Sequence, residues 1–301
     1  MEDKFFKKKS VLSILIPVYN FEICQLVDDL HAQAVETSID FEILCFDDGS
    51  SSHFKNINKQ VGDLAQVTYH ELPENLGRSK IRNELAKAAR YEYLLFMDCD
   101  AKVVRRDYIQ NYIQHFQPGT LLYGGRVYDP KPPADPSLRF HWHYGIHREQ
   151  VDYKTRQQRP YHAFQTNNFL VSREVFLAIQ FDESLKQYGH EDTLFGFELK
   201  NRKIPLLHID NPLEHIGLEK VDVFLDKTQK GIINLLKIHK EYPFIETRLL
   251  TAYQFCKRIG LKFPLRWIYH FLKPFIKRKL RAEQPDLRWF DFYKLGKMFE
   301  N

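Results

Sequence analysis

The chain has 301 residues, 44% hydrophobic and 28% charged, a balance ordinary for a soluble globular protein and sufficient to bury one large α/β domain or two small ones. Its four cysteines, Cys24, Cys45, Cys99 and Cys256, are scattered with no C-x-x-C pair, which argues against a disulfide frame or a zinc site and for a reducing compartment. The basic residues 1–9 are followed by no apolar core of signal-peptide length, and no run of roughly 18 apolar residues is present to span a membrane.

Residues 11–20 read as a strand with Pro17 at its exit. Ile23, Leu26, Val27, Leu30 and Ala34 then recur at helical spacing. A second buried strand at 41–46 runs into Asp47-Asp48-Gly49-Ser50, so strand, helix and strand form a right-handed βαβ unit. A short third strand at 67–70 precedes a turn and helix start at Asn75-Leu76-Gly77-Arg78-Ser79, whose helix faces inward through Ile81, Leu85 and Ala88. Next comes Tyr93-Leu94-Leu95-Phe96-Met97, ending in Asp98-Cys99-Asp100. Such a continuous apolar run suits a buried parallel strand whose end lies at the ligand-binding carboxyl edge of an α/β sheet. Alternation along a strand would point Asp98 and Asp100 the same way. Two hard carboxylates aimed at one place suit a divalent cation also held by phosphates.

From 126 to 163 the pattern lapses into prolines (Pro130, Pro132, Pro133, Pro136) and an aromatic, histidine-rich stretch, Phe140-His141-Trp142-His143-Tyr144. A connection this long reads as a lid or binding loop. His141, His143 and His147 have no acidic or cysteine company and read as solvated or acceptor-facing rather than as metal ligands. A strand at 164–171 carries Asn167-Asn168, which are either strand-end turn residues or polar groups of an acceptor site. Tyr188-Gly189-His190-Glu191-Asp192 leads into a helix with Leu194, Phe195 and Leu199 inward, and a strand at 204–209 precedes Glu214-His215-Ile216-Gly217. Helices are expected at 221–239 and 245–259. The domain boundaries expected are 1–244, with a nucleotide-binding half 1–120 and an acceptor half 121–244, followed by a helical tail 245–301. Neither G-x-G-x-x-G nor a P-loop occurs, which argues against Rossmann dehydrogenases and P-loop NTPases.

The ordered set Pro17-Val18-Tyr19-Asn20, Asp47-Asp48-Gly49-Ser50, Asn75-x-Gly77 with Arg82-Asn83, Asp98-x-Asp100 and Gly189-x-Glu191-Asp192 resembles the GT-A fold glycosyltransferases, specifically the inverting family 2 group. The resemblance spans roughly 11–217. It implies an α/β fold with a mostly parallel central sheet flanked by helices; the tail beyond Ile245 lies outside the resemblance and is expected to form a C-terminal helical, basic and aromatic extension. It further implies that Pro17, Tyr19, Asp48 and Arg82 (with Arg78 as the alternative) contact the nucleotide. Asp98 would lie near the ribose or donor sugar, and Asn168 is grouped with this donor set. Asp100 would ligate a divalent metal, Mn2+ or Mg2+, completed by His215 in preference to His208. Asp192 would be the catalytic base and Glu191 would hold a sugar. The implied reaction carries a sugar from a nucleotide donor, foremost a UDP-sugar, to a saccharide or lipid-linked glycan.

Such transfer needs a neutralised diphosphate and a carboxylate within reach of the acceptor hydroxyl. Asp192 at a helix start is expected to stay ionised, because the helix dipole favours the charged form. An apolar strand ending in Asp-x-Asp is also the nucleophile motif of haloacid-dehalogenase-like phosphatases. There, however, it opens the chain and continues into Gly-Thr, whereas here it comes fourth and continues Ala101-Lys102. A GT-A-like module that binds a glycan or partner without catalysis is the third reading.

The tail is read from charge. Residues 253–299 carry 12 Lys/Arg against 3 Asp/Glu, a balance of +9 within a chain of net +5, which leaves −4 for the rest. Aromatics interleaved with these cations suit an anionic membrane surface, and so a cytoplasmic protein peripheral to the inner face of the membrane. The alternative is that the aromatics pack back on the body. An acidic body with no RNA module argues against nucleic acid.

Overall fold

A computed structural model describes residues 11–185 and 189–301; the basic stretch 1–9 and Tyr188 lie outside the described residues. The chain divides into two compact units, one of residues 11–128, 150–185 and 191–217, the other of 129–149, 189–190 and 218–301. All ten strands belong to the first: β1 Val11–Val18, β2 Asp40–Asp47, β3 Val67–Glu71, β4 Tyr93–Met97, β5 Ala101–Val103, β6 Leu121–Tyr123, β7 Arg126–Val127, β8 Asn168–Ser172, β9 Leu206–His208 and β10 Leu213–His215.

Seven of them form one sheet in the order β3-β2-β1-β4-β8-β6-β9. The first four pair in parallel, and β8 then runs antiparallel between β4 and β6. The apolar run of β4 follows from this central place. Leu95 and Met97 enter one hydrophobic core with the helices Cys24–Glu36 and Tyr108–His115, while Leu94 and Phe96 enter the other with Arg78–Ala88, Arg173–Ile179 and Glu191–Asn201. Both faces are buried, so no polar alternation is needed. Within Arg78–Ala88 the inward alanine is Ala86 rather than Ala88, which faces solvent. The strand expected at 164–171 starts later, at Asn168, and pairs antiparallel with β4. This strand is the point where the sheet changes direction.

A second, three-stranded sheet, β5-β10-β7, sits at the carboxyl end of β4. Asp98 and Asp100 lie in the turn that carries the chain from β4 to β5, not on a strand, so strand alternation does not orient them.

The segment 126–163 is not an open loop. It contains β7, the helices Arg139–Tyr144, Tyr153–Gln157 and Pro160–Ala163, and a single π turn at Gly145–Glu149. Periodicity missed these helices because each is two turns or fewer. Arg156 anchors the part in the first unit. It is buried, donates to the carbonyls of Gly124, Val151 and Ile209, and donates from Nε to His208 Nδ1 at 3.1 Å.

The second unit packs Val221–Glu241, Lys262–Leu280 and Leu287–Glu300 with Phe140, in a core of Leu225, Tyr269, Ile276, Leu280, Phe290 and Tyr293, and Arg248–Arg258 packs through Leu250 against Ile232, Leu235 and Met298. A Cβ on Gly296 would meet the Tyr269 ring at 2.2 Å, so glycine sets how closely these helices approach. No helix among the described residues is long and apolar enough to cross a membrane.

Asn168 is the polar keystone of the first unit. Its Oδ1 accepts from the hydroxyls of Tyr108 and Tyr112, each at 2.6 Å, and its Nδ2 donates to the carbonyls of Gly125 and Asn211, each at 2.9 Å. With the residue fully buried and all these bonds made, Asn168 has no group left for a donor, so its place in the donor-binding set is corrected to a structural one. Asn168→Ala strands two hydroxyls and two carbonyls and is expected to lower unfolding stability by about 3 kcal/mol. Urea titration followed by circular dichroism measures this, and parent-like stability would contradict it.

Candidate active site

Three acidic stations and one imidazole stand at the carboxyl ends of β1, β2 and β4, where the strand order reverses between β1 and β4. The first is built by Asp47-Asp48-Gly49-Ser50. Asp47 accepts from the Ser50 backbone N–H and the Tyr69 hydroxyl, both at 2.7 Å, which folds the turn back onto β2 and β3. Gly49 has φ +76°, and a Cβ there would lie 2.9 Å from the backbone of Glu74 and Asn75. Asp48 accepts from the backbone N–H of Leu76 at 2.6 Å and of Gly77 at 3.1 Å, tying the two motifs together. Burial raises the Asp48 carboxyl above the usual range, those two hydrogen bonds oppose the shift, and the Asp47 charge adds to it. The structure thus uses Asp48 to shape the turn. Beside it Pro17 is half-buried and Tyr19 is 51% exposed, an aromatic face at the exit of β1.

The second station is Asp98. Its Oδ1 takes a 2.6 Å bond from Arg82, and its Oδ2 lies 3.6 Å from Arg126. Arg82 is 2% exposed, donates also to the Arg78 carbonyl, and lies over the Phe181 ring. It therefore holds Asp98 rather than facing a nucleotide, which corrects the expectation. Removing either partner would leave a buried charge uncompensated, a loss of about 3–5 kcal/mol. Arg126 was not singled out from the sequence. The neighbouring pair Gly124-Gly125 was the available signal, since close backbone approach needs glycine, and Gly125 (φ +95°) lies where a Cβ would strike the Arg156 guanidinium.

The third is Asp100 with His215. The β5–β10 ladder sets Ala101 opposite His215, and the Ile216 N–H donates to the Asp100 carbonyl at 2.9 Å. His215 Nδ1 then stands 3.5 Å from Asp100 Oδ1, with its ring edge-on to Tyr128. Burial would raise the Asp100 carboxyl, but the charge and hydrogen bond of His215 outweigh it. With help from Arg126 and Arg78 they hold the group well below the usual carboxylate range. Asp98, Asp100, Arg126, Asn167, Glu214 and His215 line one shallow, open cleft.

No group of three or more His, Cys, Asp or Glu side chains is placed to hold a metal among the described residues. Two donors are placed to do so. Adjacent oxygen or nitrogen ligands of an octahedral cation at about 2.1 Å stand about 3 Å apart, close to the 3.5 Å separating Asp100 and His215. Such a pair would supply two of the six positions of an octahedral Mn2+ or Mg2+ ion and leave four for water or phosphate oxygens. His208 offers no donor. Its Nδ1 accepts from Arg156, its Nε2 faces the Pro160 carbonyl at 3.0 Å, and burial lowers its pKa to about 4.

Glu191 and Asp192 open the helix Glu191–Asn201. Glu191 is buried, 3.5 Å from Arg78. Asp192 accepts from the Thr193 N–H at 2.7 Å and the Thr193 hydroxyl at 3.3 Å. Burial first, then the Glu191 charge, push its carboxyl up to about 6, against the Thr193 bonds and Arg78. The helix dipole favours the ionised form, burial beside a like charge opposes it, and a carboxyl near 6 is still ionised at neutral pH. Arg78 also bears on the Asp100 charge. This half-exposed arginine is the cation common to Asp100 and the Glu191–Asp192 pair.

The model of "Glycosyl transferase family 2" matches residues 13–179, more than half of the chain. Chondroitin synthase of Escherichia coli is 24% identical over 219 residues, 62% of this chain and 32% of that protein. The chain spans between 14% and 32% of the curated relatives it matches. Among solved structures, the fold is similar to mannosyltransferase PcManGT from Pyrobaculum calidifontis in complex with GDP-Man and Mn2+, at TM-score 0.51 and 13% identity over 75% of this chain and 64% of that one. It is similar also to S. aureus TarS 1-349 in complex with UDP, at TM-score 0.50 and 17% identity over 95% and 90%.

A Cβ on Gly217 would lie 2.5 Å from Asp100 Oδ2. Gly217→Ala is therefore expected to push the carboxylate aside and weaken Mn2+-supported UDP binding about tenfold, the low end of what perturbing a metal ligand's surroundings costs. Stability is expected to fall as well, since the added carbon would also lie 2.7 Å from Asp100 Cβ and the turn must shift. Calorimetry of UDP with and without Mn2+ measures it, and unchanged affinity would show that Gly217 does not set the carboxylate.

Proposed function

Because the chain belongs to glycosyl transferase family 2, we propose that it is a metal-dependent, inverting hexosyltransferase that moves a sugar from a nucleotide donor, a UDP-sugar, to a saccharide or lipid-linked glycan acceptor in glycan biosynthesis. The observation that carries this reading is the Asp100–His215 pair, two positions of a cation shell left for phosphates and water to complete. The UDP bound to TarS and the GDP-Man and Mn2+ bound to PcManGT are consistent with it.

When bound, a divalent cation neutralises the charge that grows on the diphosphate leaving group. The chain's own residues do the rest. Tyr19 offers its exposed ring to the base, with Pro17 and the Asp48 turn below it. Asp98, fixed between Arg82 and Arg126, presents a pre-oriented carboxylate toward the donor. Arg78 supplies positive charge between the metal and acceptor stations. Asp192 takes the proton of the attacking hydroxyl, and Glu191 holds the sugar. One base and one in-line displacement invert the anomeric centre.

A carboxyl titrating near 6 is ionised at neutral pH yet remains a better proton acceptor than an ordinary aspartate. A phosphatase using Asp98 as nucleophile is disfavoured, because both of its oxygens face arginines. The inner face of a cytoplasmic membrane is the proposed place of action, with residues 253–299 as the part that meets it.

Asp192→Asn is expected to keep UDP and Mn2+ affinity within about twofold while transfer falls about 10²–10⁴-fold, the usual contribution of a general base. Transfer requires the ionised carboxylate, so the parent rate should fall about tenfold per pH unit below pH 6, from the raised Asp192 pKa. In Glu191→Gln the like charge is gone and the limb should move to lower pH. A transfer assay with a UDP-sugar panel across pH measures both, and full transfer by Asp192→Asn would remove Asp192 as the base.

A further inference from the structure

The helix Lys262–Leu280 buries Tyr269, Ile276 and Leu280 in the core of the second unit. With 3.6 residues per turn, Phe263, Trp267, Phe271 and Phe275 follow one another at intervals of four and fall on the side facing away from those three. They are 67, 64, 69 and 37% exposed, and the rings of Trp267 and Phe271 stack at 5.8 Å. A single exposed aromatic needs no explanation, but a file of four along one helix does.

The charge around this file has one sign. Residues 248–282 contain ten Lys/Arg and no Asp or Glu. Lys273 and Arg281 are paired with Glu300 and Asp222. Arg266, Lys277 and Arg278 make no ion pair among the described residues. The preceding helix ends in the same way, with Phe255 and Ile259 about half exposed beside Lys257 and Arg258.

We infer that this face docks on an anionic lipid bilayer, the helix Lys262–Leu280 lying in the plane of the interface with Phe263, Trp267 and Phe271 among the acyl chains and Arg266, Lys277 and Arg278 at the headgroups. Charge complementarity selects the occupant. A one-signed cationic border around an aromatic ridge is the composition of an interfacial helix. The inference deepens the membrane-side reading of the acceptor, yet binding to lipid needs neither donor nor catalysis.

The test is sedimentation of the full chain with vesicles of phosphatidylcholine alone or with about one-third phosphatidylglycerol. The parent should sediment only with the anionic vesicles and release as salt rises. Phe263→Ser/Trp267→Ser/Phe271→Ser should lose at least tenfold in vesicle affinity, as should Arg266→Glu/Lys277→Glu/Arg278→Glu, while both keep the circular dichroism and UDP-sugar hydrolysis rate of the parent. No binding to anionic vesicles, or binding unchanged in both variants, would overturn the proposal. So would a parent that elutes as a dimer and becomes monomeric on the triple serine substitution, since the face would then meet a second copy. Loss of hydrolysis in the parent with vesicle binding intact would strike the enzymatic reading and leave this one standing.

Discussion

Asp100 and His215 are separated by more than a hundred residues, and three rungs of antiparallel ladder between β5 and β10 bring them within 3.5 Å. Everything around that contact serves to fix it. The Ile216 N–H binds the Asp100 carbonyl, Tyr128 backs the imidazole, and Gly217 leaves the carboxylate room to point where it does. Two buried donors of this kind are too few to hold a cation by themselves. A cation completed by diphosphate would thus make metal and nucleotide binding depend on each other, as linkage requires.

The remaining charges are arranged so that each acid has a different environment. Asp48 is consumed by two backbone amides, Asp98 by two arginines, and Asp192 has only its own helix start and the distant pull of Arg78 to offset burial beside Glu191. Environments that push otherwise equal carboxylates apart are how one site separates shaping, positioning and proton-accepting roles. Asp100 remains ionised and Asp192 is drawn toward neutrality, although both are aspartates in the same unit.

Much of this was legible in residue order. The βαβ start, the apolar run of β4 and the acidic endings of β2 and β4 follow from periodicity and turn chemistry, because those features are local. What escaped was set by distant partners. Arg82 looked like a ligand-facing arginine until the fold placed Asp98 and Phe181 around it. Asn168 looked like a polar group for a sugar until Tyr108 and Tyr112 claimed its oxygen. The short helices between 139 and 163 carry no full period of apolar residues to be read. The tail divided: Tyr269, Phe290 and Tyr293 pack inward, while Phe263, Trp267 and Phe271 face out.

The claim on which the site rests is that Asp100 and His215 are the protein's two ligands in a metal shell finished by the donor's diphosphate and water. Calorimetric titration of UDP into the parent and into His215→Ala, each with and without Mn2+, tests it most directly. The account predicts that Mn2+ strengthens UDP binding to the parent, that His215→Ala loses at least tenfold of the Mn2+-dependent affinity, and that metal-free affinity is the same in both. Equal strengthening by Mn2+ in the two proteins would contradict it.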